Sequence, residues 1–259
     1  MTYLESTEKM APDSPNNISL DNVDPLEVAK FERMAARWWD LEGDLRTLHT
    51  LNPLRLDYIE RNSGLRGKRV LDVGCGGGIL VEGMARRGAF VSGIDATEAA
   101  LRVAKLHRIE TCIDVDYRCL TAEALAEQES GIYDIVTCME LLEHVPNPAM
   151  TVKACAKLAK PGGSCFFSTI NRNPKAWLFA IFAGEYLLGL LPKGTHDYGR
   201  FIQPSELNQW CRNAGLSTKG LQGLSYNPLT KYFQLTPNVD VNYIAWVQVK
   251  SNIASVADL

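Results

Sequence analysis

The hydrophobic pattern of the chain is a series of short apolar runs separated by turn residues and amphipathic stretches. Runs of this length, rich in branched residues, are typical of strands that are buried on both faces of a parallel sheet. Five of them lie in the first two thirds of the chain, at 70–73, 89–94, 115–118, 134–138 and 164–170. Their alternation with helical stretches predicts an α/β domain. Two later runs are predicted to close the sheet, at 216–224 and 243–249.

The N-terminal part of the chain divides into a polar tail and a helical segment. Residues 1–22 contain proline and show no apolar period, so we predict a disordered tail, followed by a single domain over 23–259. Asp24 followed by Pro25 is typical of a helix start. The residues after them repeat at helical spacing and give one apolar face, formed by Phe31, Met34, Ala35 and Trp38.

Two adjacent tryptophans end this helical stretch. Trp38 and Trp39 precede Gly43, and a pair of indoles beside a hinge suits a lid over a hydrophobic substrate. Ordinary packing explains the same residues equally well, so both interpretations stay open. On the first of them, residues 24–62 form an N-terminal helical lid.

A second helix is predicted to begin at Asn52 and Pro53, directly before the first strand. Arg55 would then lie in the first turn, where a cation is unfavourable for the helix dipole. A carboxylate ligand would relieve that unfavourable placement, because a guanidinium group binds carboxylates through two parallel hydrogen bonds. Arg55 is therefore a candidate ligand-binding residue.

A glycine-rich loop follows the first strand. The sequence of residues 72–78 is D-V-G-C-G-G-G, with glycines at Gly74, Gly76 and Gly78. Glycines allow the backbone to approach a ligand closely, and the next helix offers free N–H groups. A dinucleotide fingerprint would need its third glycine at Ile79, so the spacing argues against NAD. It resembles instead the first motif of class I S-adenosylmethionine (AdoMet) methyltransferases.

The second strand ends on an acidic residue. Asp95 follows Gly74 by about 20 residues, the spacing at which α/β nucleotide-binding units place the acid that accepts hydrogen bonds from the ribose. Aspartate also favours helix N-caps, so Asp95 has a second interpretation as the cap of the helix predicted over 98–107. Both roles are compatible with the sequence.

The tip of the fourth strand carries further candidates. Met139 would border the crevice and line the adenine or methionine part of a ligand, or serve as core filler. Glu140, Glu143 and His144 have i, i+3, i+4 spacing, which predicts one shared helical face. Such a group can hold a divalent cation or supply a general base, and a charged rim is the alternative.

An apolar segment interrupts the alternating pattern at 176–191. It contains one charged residue, Glu185, and is shorter than the roughly 20 residues that a membrane-spanning helix needs. Cationic residues flank it on both sides. The composition favours either a helix in the membrane interface, the wall of a pocket for an apolar substrate, or a buried core helix. We treat 174–200 as an apolar insert of the domain.

Composition narrows the functional classes. The formal net charge of −3 gives no electrostatic basis for nucleic-acid binding. The cysteines number seven, an odd count without metal-ligand spacing, which favours reduced thiols in a cytoplasmic protein. The N-terminus has no basic stretch followed by an apolar run, so no secretory signal is predicted.

Several longer motifs together resemble one family. They are F-E-R-M-A-A-R-W-W-D-L-E-G at 31–43, N-P-L-R at 52–55, the glycine loop at 72–78, T-C-M-E-L-L-E-H-V at 137–145, S-T-I-N-R-N at 168–173 and P-K-G-T-H-D at 192–197. This combination resembles the ubiquinone-biosynthesis O-methyltransferase family, over roughly residues 23–249. The glycine loop alone would indicate only the broader class.

The resemblance implies a class I methyltransferase fold with seven strands, mostly parallel, the last of them antiparallel. It implies AdoMet-dependent methylation of a ring hydroxyl on a polyprenyl-hydroxyphenol and on demethylubiquinol. Partners implied are the prenylated substrate, other ubiquinone-synthesis enzymes and the inner face of the membrane. The cofactor contacts implied are Arg55, Gly74, Gly76, Asp95 and Met139.

The resemblance also implies a catalytic role for His144, with Glu143 beside it. Relatives with an E-x-x-E-H arrangement use magnesium, which here would be held by Glu140, Glu143 and His144. Similar strings occur in methyltransferases without a metal, so base catalysis and metal assistance both stay open. The rival interpretations of the whole chain are an NAD-dependent oxidoreductase and a non-catalytic scaffold that binds AdoMet or lipid.

Overall fold

The computed structural model describes residues 22–176, 198–227, 229 and 232–251. Eight strands form one sheet within these ranges. In chain order they are β1 (Arg69–Val73), β2 (Phe90–Asp95), β3 (Val115–Cys119), β4 (Tyr133–Met139), β5 (Ala159–Ile170), β6 (Leu216–Asn227), β7 (Tyr232–Thr236) and β8 (Asn242–Val249).

The helices alternate with these strands. They are α1 (Pro25–Met34), α2 (Arg46–Ser63), α3 (Ile79–Arg86), α4 (Glu98–Thr111), α5 (Ala122–Gln128), α6 (Pro148–Leu158), α7 (Pro174–Ala176) and α8 (Pro204–Asn213). Short 3-10 turns lie at Ala35–Arg37, Leu142–His144 and Tyr198–Arg200.

The strand order across the sheet is β3-β2-β1-β4-β5-β8-β6-β7. The first five of these run parallel, and β8 pairs antiparallel with β5 and with β6. The α/β class and the antiparallel last strand are therefore confirmed. The sheet has one strand more than the seven expected, because β7 pairs with β6 as a hairpin at its edge.

The core lies on both faces of the sheet, as the continuous apolar strands require. Val70, Leu71 and Val73 of β1 are almost completely buried. Helices α2, α3 and α4 pack on one face, and α5, α6 and α8 pack on the other. The parallel strands therefore end at one edge of the sheet, where a ligand crevice forms in folds of this kind.

Helix α2 begins earlier than predicted. It starts at Arg46 and contains Pro53 in its interior, although proline removes one helical hydrogen bond. Thr47 and Leu51 are buried, so packing of the additional turns outweighs that loss. Arg55 consequently lies well inside the helix, and the argument that placed it in the first turn is wrong.

The first helix lies over the strand ends rather than in the core. Asp24 caps α1 as predicted and accepts a hydrogen bond from the Leu26 backbone N–H. No residue of α1 is fully buried. The 3-10 turn after it brings Trp38 into a small apolar cluster with Leu45 and with Ala100 of α4.

The apolar insert lies largely outside the described residues. Of the range 174–200, the structure describes only Pro174–Ala176 and Tyr198–Arg200, so the predictions for 176–191 are untested beyond Ala176. In the described parts of the chain, no helix combines the length and the apolar character that crossing a membrane requires.

Candidate active site

One large cavity opens where the parallel strands end. Its volume is about 810 Å³, and it lies between the tips of β1, β2 and β4 and the helices α1 and α2. The β6–β7 hairpin forms a further part of its wall. Five predicted cofactor residues all line this cavity: Arg55, Gly74, Gly76, Asp95 and Met139. The fold therefore brings together side chains that the sequence only placed at separate strand ends.

The glycine loop needs its glycines for geometric reasons. Gly74, Gly76 and Gly78 all have positive φ angles, of 72°, 51° and 89°. A Cβ on Gly76 would lie 2.1 Å from the Trp38 ring, and one on Gly74 would lie 2.9 Å from the Leu141 side chain. Larger residues would therefore push away the neighbours that pack on the loop.

Asp95 joins the loop to the second strand. Its carboxylate accepts hydrogen bonds from the backbone N–H of Gly76, at 2.8 Å, and of Thr97, at 2.7 Å. Burial nevertheless raises the pKa of Asp95 above its usual value. The N-cap of α4 is Thr97, so the interpretation of Asp95 as the helix cap is wrong. Asp95 lies on the cavity wall, and its ribose contact stays a prediction.

Arg55 reaches the same cavity from α2. Its Nη2 donates to Glu140 Oε1 at 2.7 Å, and that oxygen also accepts from the Ser168 hydroxyl at 2.7 Å. The Arg55 side chain is buried, and its Nε has no hydrogen-bond partner among the described residues. A buried guanidinium with an unpaired N–H is well suited to a carboxylate such as that of AdoMet.

Asp72 lies directly beneath the loop. It is buried and accepts a hydrogen bond of 2.6 Å from the Thr137 hydroxyl on β4. Burial raises the pKa of Asp72 to about 7, while the Thr137 bond and the charge of Arg55 act in the opposite direction. The floor of the cavity thus contains an acid that titrates near neutral pH.

The predicted triad Glu140, Glu143 and His144 does not share one helical face. Glu140 has a φ of 52° and precedes the 3-10 turn, where it pairs with Arg55. Among the described residues, no group of three or more His, Cys, Asp and Glu side chains is arranged to hold a metal ion. The magnesium hypothesis therefore finds no fitting ligand set in this arrangement.

Glu143 and His144 have separate surroundings. Glu143 is buried away from the cavity lining and accepts a hydrogen bond from Thr169 at 3.0 Å. Burial, and then the charge of Glu140, raise the pKa of Glu143 well above its usual value. His144 lines the cavity, and its Nδ1 lies 2.9 Å from Glu27 Oε2 on α1. His144 is therefore the better placed of the two predicted catalytic residues.

Glu27 is a site residue that the sequence did not indicate. It occupies the third position of α1, where an acid is ordinarily explained by the helix dipole. The hydrogen bond with His144 is the largest influence on the pKa of Glu27 and lowers it. The Phe31 and His144 rings also form a T-shaped pair, with centroids 5.1 Å apart. Only the tertiary structure brings these residues together.

The two tryptophans contact the glycine loop itself. Trp38 packs on Gly76 and Gly77, and Trp39 Nε1 donates to the Gly77 carbonyl at 2.9 Å. The Trp39 ring also stacks on His107 of α4, with centroids 3.5 Å apart and planes 9° apart. The pair therefore holds α1 and its 3-10 turn against the cofactor side of the cavity.

Several solved structures with the same fold are methyltransferases. Magnesium protoporphyrin IX methyltransferase from Synechocystis, solved with bound SAH, superposes with a TM-score of 0.64 at 18% identity and covers 88% of this chain and 100% of its own. A SAM-dependent methyltransferase from Thermotoga maritima gives a TM-score of 0.61 at 14% identity, over 86% and 100% of the two chains. These similarities establish the fold.

The family model described as "Methyltransferase domain" matches residues 46–219. Ubiquinone biosynthesis O-methyltransferase from Pseudomonas fluorescens Pf-5 is 59% identical over 87% of this chain and 97% of its own length. The corresponding protein from Saccharophagus degradans is 60% identical over 86% and 95%. The family model and these relatives confirm the predicted resemblance and enzyme class, and solved structures of the same fold hold SAH or SAM, the cofactor predicted for this chain. The chain therefore belongs to the ubiquinone biosynthesis O-methyltransferase family.

Proposed function

We propose that this enzyme methylates a ring hydroxyl of a polyprenylated phenol or quinol, and that His144 removes the hydroxyl proton. The acceptors are a polyprenyl-hydroxyphenol and demethylubiquinol. One observation carries the proposal: a single cavity contains the glycine loop, Asp95, Arg55 and His144. Groups that bind the methyl donor and a group that can accept a proton thus face the same space.

The cofactor half of the proposal assigns one role to each side chain. The Asp95 carboxylate accepts hydrogen bonds from the ribose hydroxyls, and the buried Arg55 guanidinium binds the amino-acid carboxylate. The glycine loop permits close approach of the backbone, and Met139 at the tip of β4 packs against the ligand. When bound, AdoMet supplies a methyl group that its positive sulfur already activates.

Methylation of the acceptor depends on removal of the proton from its hydroxyl group. A free phenol has a pKa of about 10, so few molecules ionise at neutral pH without a base. Glu27 lies against Nδ1 of His144, which supports a fixed orientation of the imidazole, and we propose that this ring takes the proton of the acceptor hydroxyl. The enzyme must also align the methyl donor with the acceptor hydroxyl. Apolar side chains around the cavity favour this alignment because they exclude water.

The decisive experiment is transfer of labelled methyl from AdoMet to a short-chain demethylated quinol by purified protein. We expect His144→Gln to lower kcat by about a hundredfold or more, as loss of a general base does. Its AdoMet affinity in calorimetry should equal that of the native enzyme. Binding of AdoMet without any transfer by native protein would favour the scaffold interpretation instead.

Metal dependence is tested separately. Because Glu140 pairs with Arg55 and Glu143 is buried against Thr169, the proposed proton path uses His144 without a metal. We expect activity to persist after exhaustive chelation. Activity that disappears with chelator and returns with Mg²⁺ would contradict this path and restore the magnesium prediction.

The membrane role rests on the sequence of 176–191 alone. We propose that this apolar segment contacts the cytoplasmic face of the membrane, where prenylated substrates reside, and that other enzymes of the pathway assemble there. Charged substitutions at Trp177, Phe179 and Phe182 should reduce sedimentation with liposomes and leave AdoMet binding intact. Unchanged sedimentation and unchanged activity on a prenylated acceptor would identify the segment as core.

A further inference from the structure

The β6–β7 hairpin forms a wall of the cavity far from Asp95 along the sheet. Five strand spacings separate β2 from β6, which is roughly 24 Å at 4.8 Å for each spacing. Leu224, Tyr226 and Phe233 of the hairpin line the cavity. Tyr226 and Phe233 are direct cross-strand partners, and their ring centroids are 4.8 Å apart. The cavity therefore continues well beyond the residues assigned to the cofactor.

Three polar side chains at this end of the cavity accept hydrogen bonds from their own hairpin and loop. Asn242 Oδ1 accepts the Leu224 N–H at 2.8 Å, and Thr236 Oγ1 accepts the Asn238 N–H at 3.2 Å. Asn238 Oδ1 in turn accepts the Asp240 N–H at 2.8 Å. With these acceptors engaged, Leu224 and the two aromatic rings provide the main contact surface. A ligand that binds there is expected to be apolar.

Beyond the cavity, the turn end of the hairpin carries two exposed apolar side chains, of which Tyr232 lies on the strand face opposite Phe233. Tyr232 is one residue nearer the turn than Phe233 and is 74% exposed, and Leu229 within the turn is 92% exposed. A cavity of about 810 Å³ is within the range that encloses one ligand of drug size. A cofactor, an aromatic ring and a long tail together exceed that volume, so a long tail must leave the cavity.

We propose that the β6–β7 hairpin binds the prenyl tail of the acceptor and leads it out of the cavity past Tyr232 and Leu229. This inference rests on the proposed function, because it presupposes a prenylated acceptor in the same cavity. Tyr226 and Phe233 hold the first isoprene units near the ring. The exposed pair at the turn contacts the part of the tail that leaves.

The test compares two acceptors with the same dihydric ring, one without a tail and one with several isoprene units. The measured quantity is the KM of the tailed acceptor divided by the KM of the acceptor without a tail. The tailed acceptor is presented in detergent micelles and in vesicles. Phe233→Ala should raise that ratio about tenfold, the effect of losing one aromatic contact with buried apolar surface. The double variant L229S/Y232S should raise it about threefold.

Phe90→Ser is the matched control, because Phe90 on β2 is 73% exposed, nearly as much as Tyr232. Its KM ratio should equal that of the native enzyme. The surface double variant guards against misfolding, since both its residues are exposed. Unchanged ratios, equal changes for both acceptors, or an effect in vesicles alone would each overturn the proposal. Absence of transfer by native protein to either acceptor would instead contradict the proposed function.

Discussion

Two regions enclose the cavity, and they are built differently. The floor consists of residues 72–78, 95–97 and Met139, at the tips of buried strands. The cover consists of residues 24–45. The floor is continuous with the sheet, and its β1 strand is buried along almost its whole length. The cover has no buried residue in α1 and is attached through side-chain contacts with the loop and with His144.

Because of this difference, we expect substitutions in the floor and in the cover to affect different properties, namely cofactor binding and closure of the cavity. Floor residues are part of the cooperative core, so a change there alters cofactor binding or the stability of the whole domain. Cover residues make a limited set of contacts whose loss opens one region without unfolding the sheet. We therefore propose that the cover acts as a lid, and that it opens to admit the cofactor and the acceptor. The following predictions test the two regions against each other.

The largest effect is expected from Asp95→Ala in the floor. On the assignment proposed above, it removes a carboxylate acceptor for the two ribose hydroxyls, and each of these hydrogen bonds contributes about 1.5–3 kcal/mol. The variant should bind AdoMet about a thousandfold more weakly in calorimetry. Asp116→Ala on β3 is the control, because the Asp116 side chain is 61% exposed. An affinity within threefold of native for Asp95→Ala would remove Asp95 from the site.

The second prediction concerns pH and the floor. Burial raises the pKa of Asp72 to about 7, so the folded chain keeps a proton that the unfolded chain loses near pH 4. Its contribution to stability is therefore fully present below about pH 4 and is lost as the pH rises through 7. Over this window we expect a loss of about 4 kcal/mol, which Asp72→Asn should largely abolish.

Urea unfolding of both proteins at pH 5 and pH 7.5 measures this difference. In the native chain, the free energy of unfolding should be lower at the higher pH. The Glu27 contribution of the cover has the opposite sign but a different pH window. The pKa of Glu27 is lowered from its usual 4.5, so its stabilisation is unchanged between pH 5 and pH 7.5 and is lost only at lower pH. Identical pH slopes for native and variant chains would show that Asp72 is ionised in the folded protein.

A smaller effect is expected from Trp38→Ala in the cover. The ring packs on Gly76 and lines the cavity, so its loss should weaken AdoMet binding about tenfold. Proteolysis within 24–45 should become faster while the global unfolding midpoint changes little. Trp39→Phe is the graded control, since it keeps the stack on His107 and loses only the bond to Gly77. A large fall in the global midpoint would place Trp38 in the core instead.

The smallest effect is expected from Glu27→Gln. The neutral amide still accepts a hydrogen bond from His144 but no longer stabilises its protonated form, so kcat should fall about fivefold. KM for the acceptor and AdoMet affinity should stay unchanged. Glu32→Gln, an exposed position on the same helix, is the matched control. Equal losses in both variants would assign the effect to the charge of α1 rather than to the contact with His144.

Local patterns predicted most of the floor. The apolar runs located β1 to β5, and the glycine spacing located a loop with three positive φ angles. Each of these features depends on residues close together in the chain, which is why sequence alone was informative. The prediction for Asp95 combined the same loop with the end of the next strand. The N-cap position that the sequence analysis offered to Asp95 is occupied by Thr97.

Contacts between residues far apart in the sequence determined the features that short sequence patterns did not predict. Pro53 indicated a helix start, yet packing of Thr47 and Leu51 extends α2 back to Arg46. The i, i+3, i+4 spacing predicted a shared face for three residues, yet the backbone changes direction at Glu140. The edge strand β7 also escaped prediction, since it is stabilised by pairing with β6 rather than by an apolar run.

The sequence by itself determined the α/β fold, the cofactor loop and the family, because these follow from short-range periodicity and from motifs of fixed spacing. The tertiary structure alone decided the partners: Glu27 against His144, Arg55 against Glu140, and Trp38 on the glycine loop. Residues 117 and 85 positions apart in the first two pairs meet only after the sheet has formed. Their contacts depend on how the strands and helices pack, and packing is not encoded in any single segment of the chain.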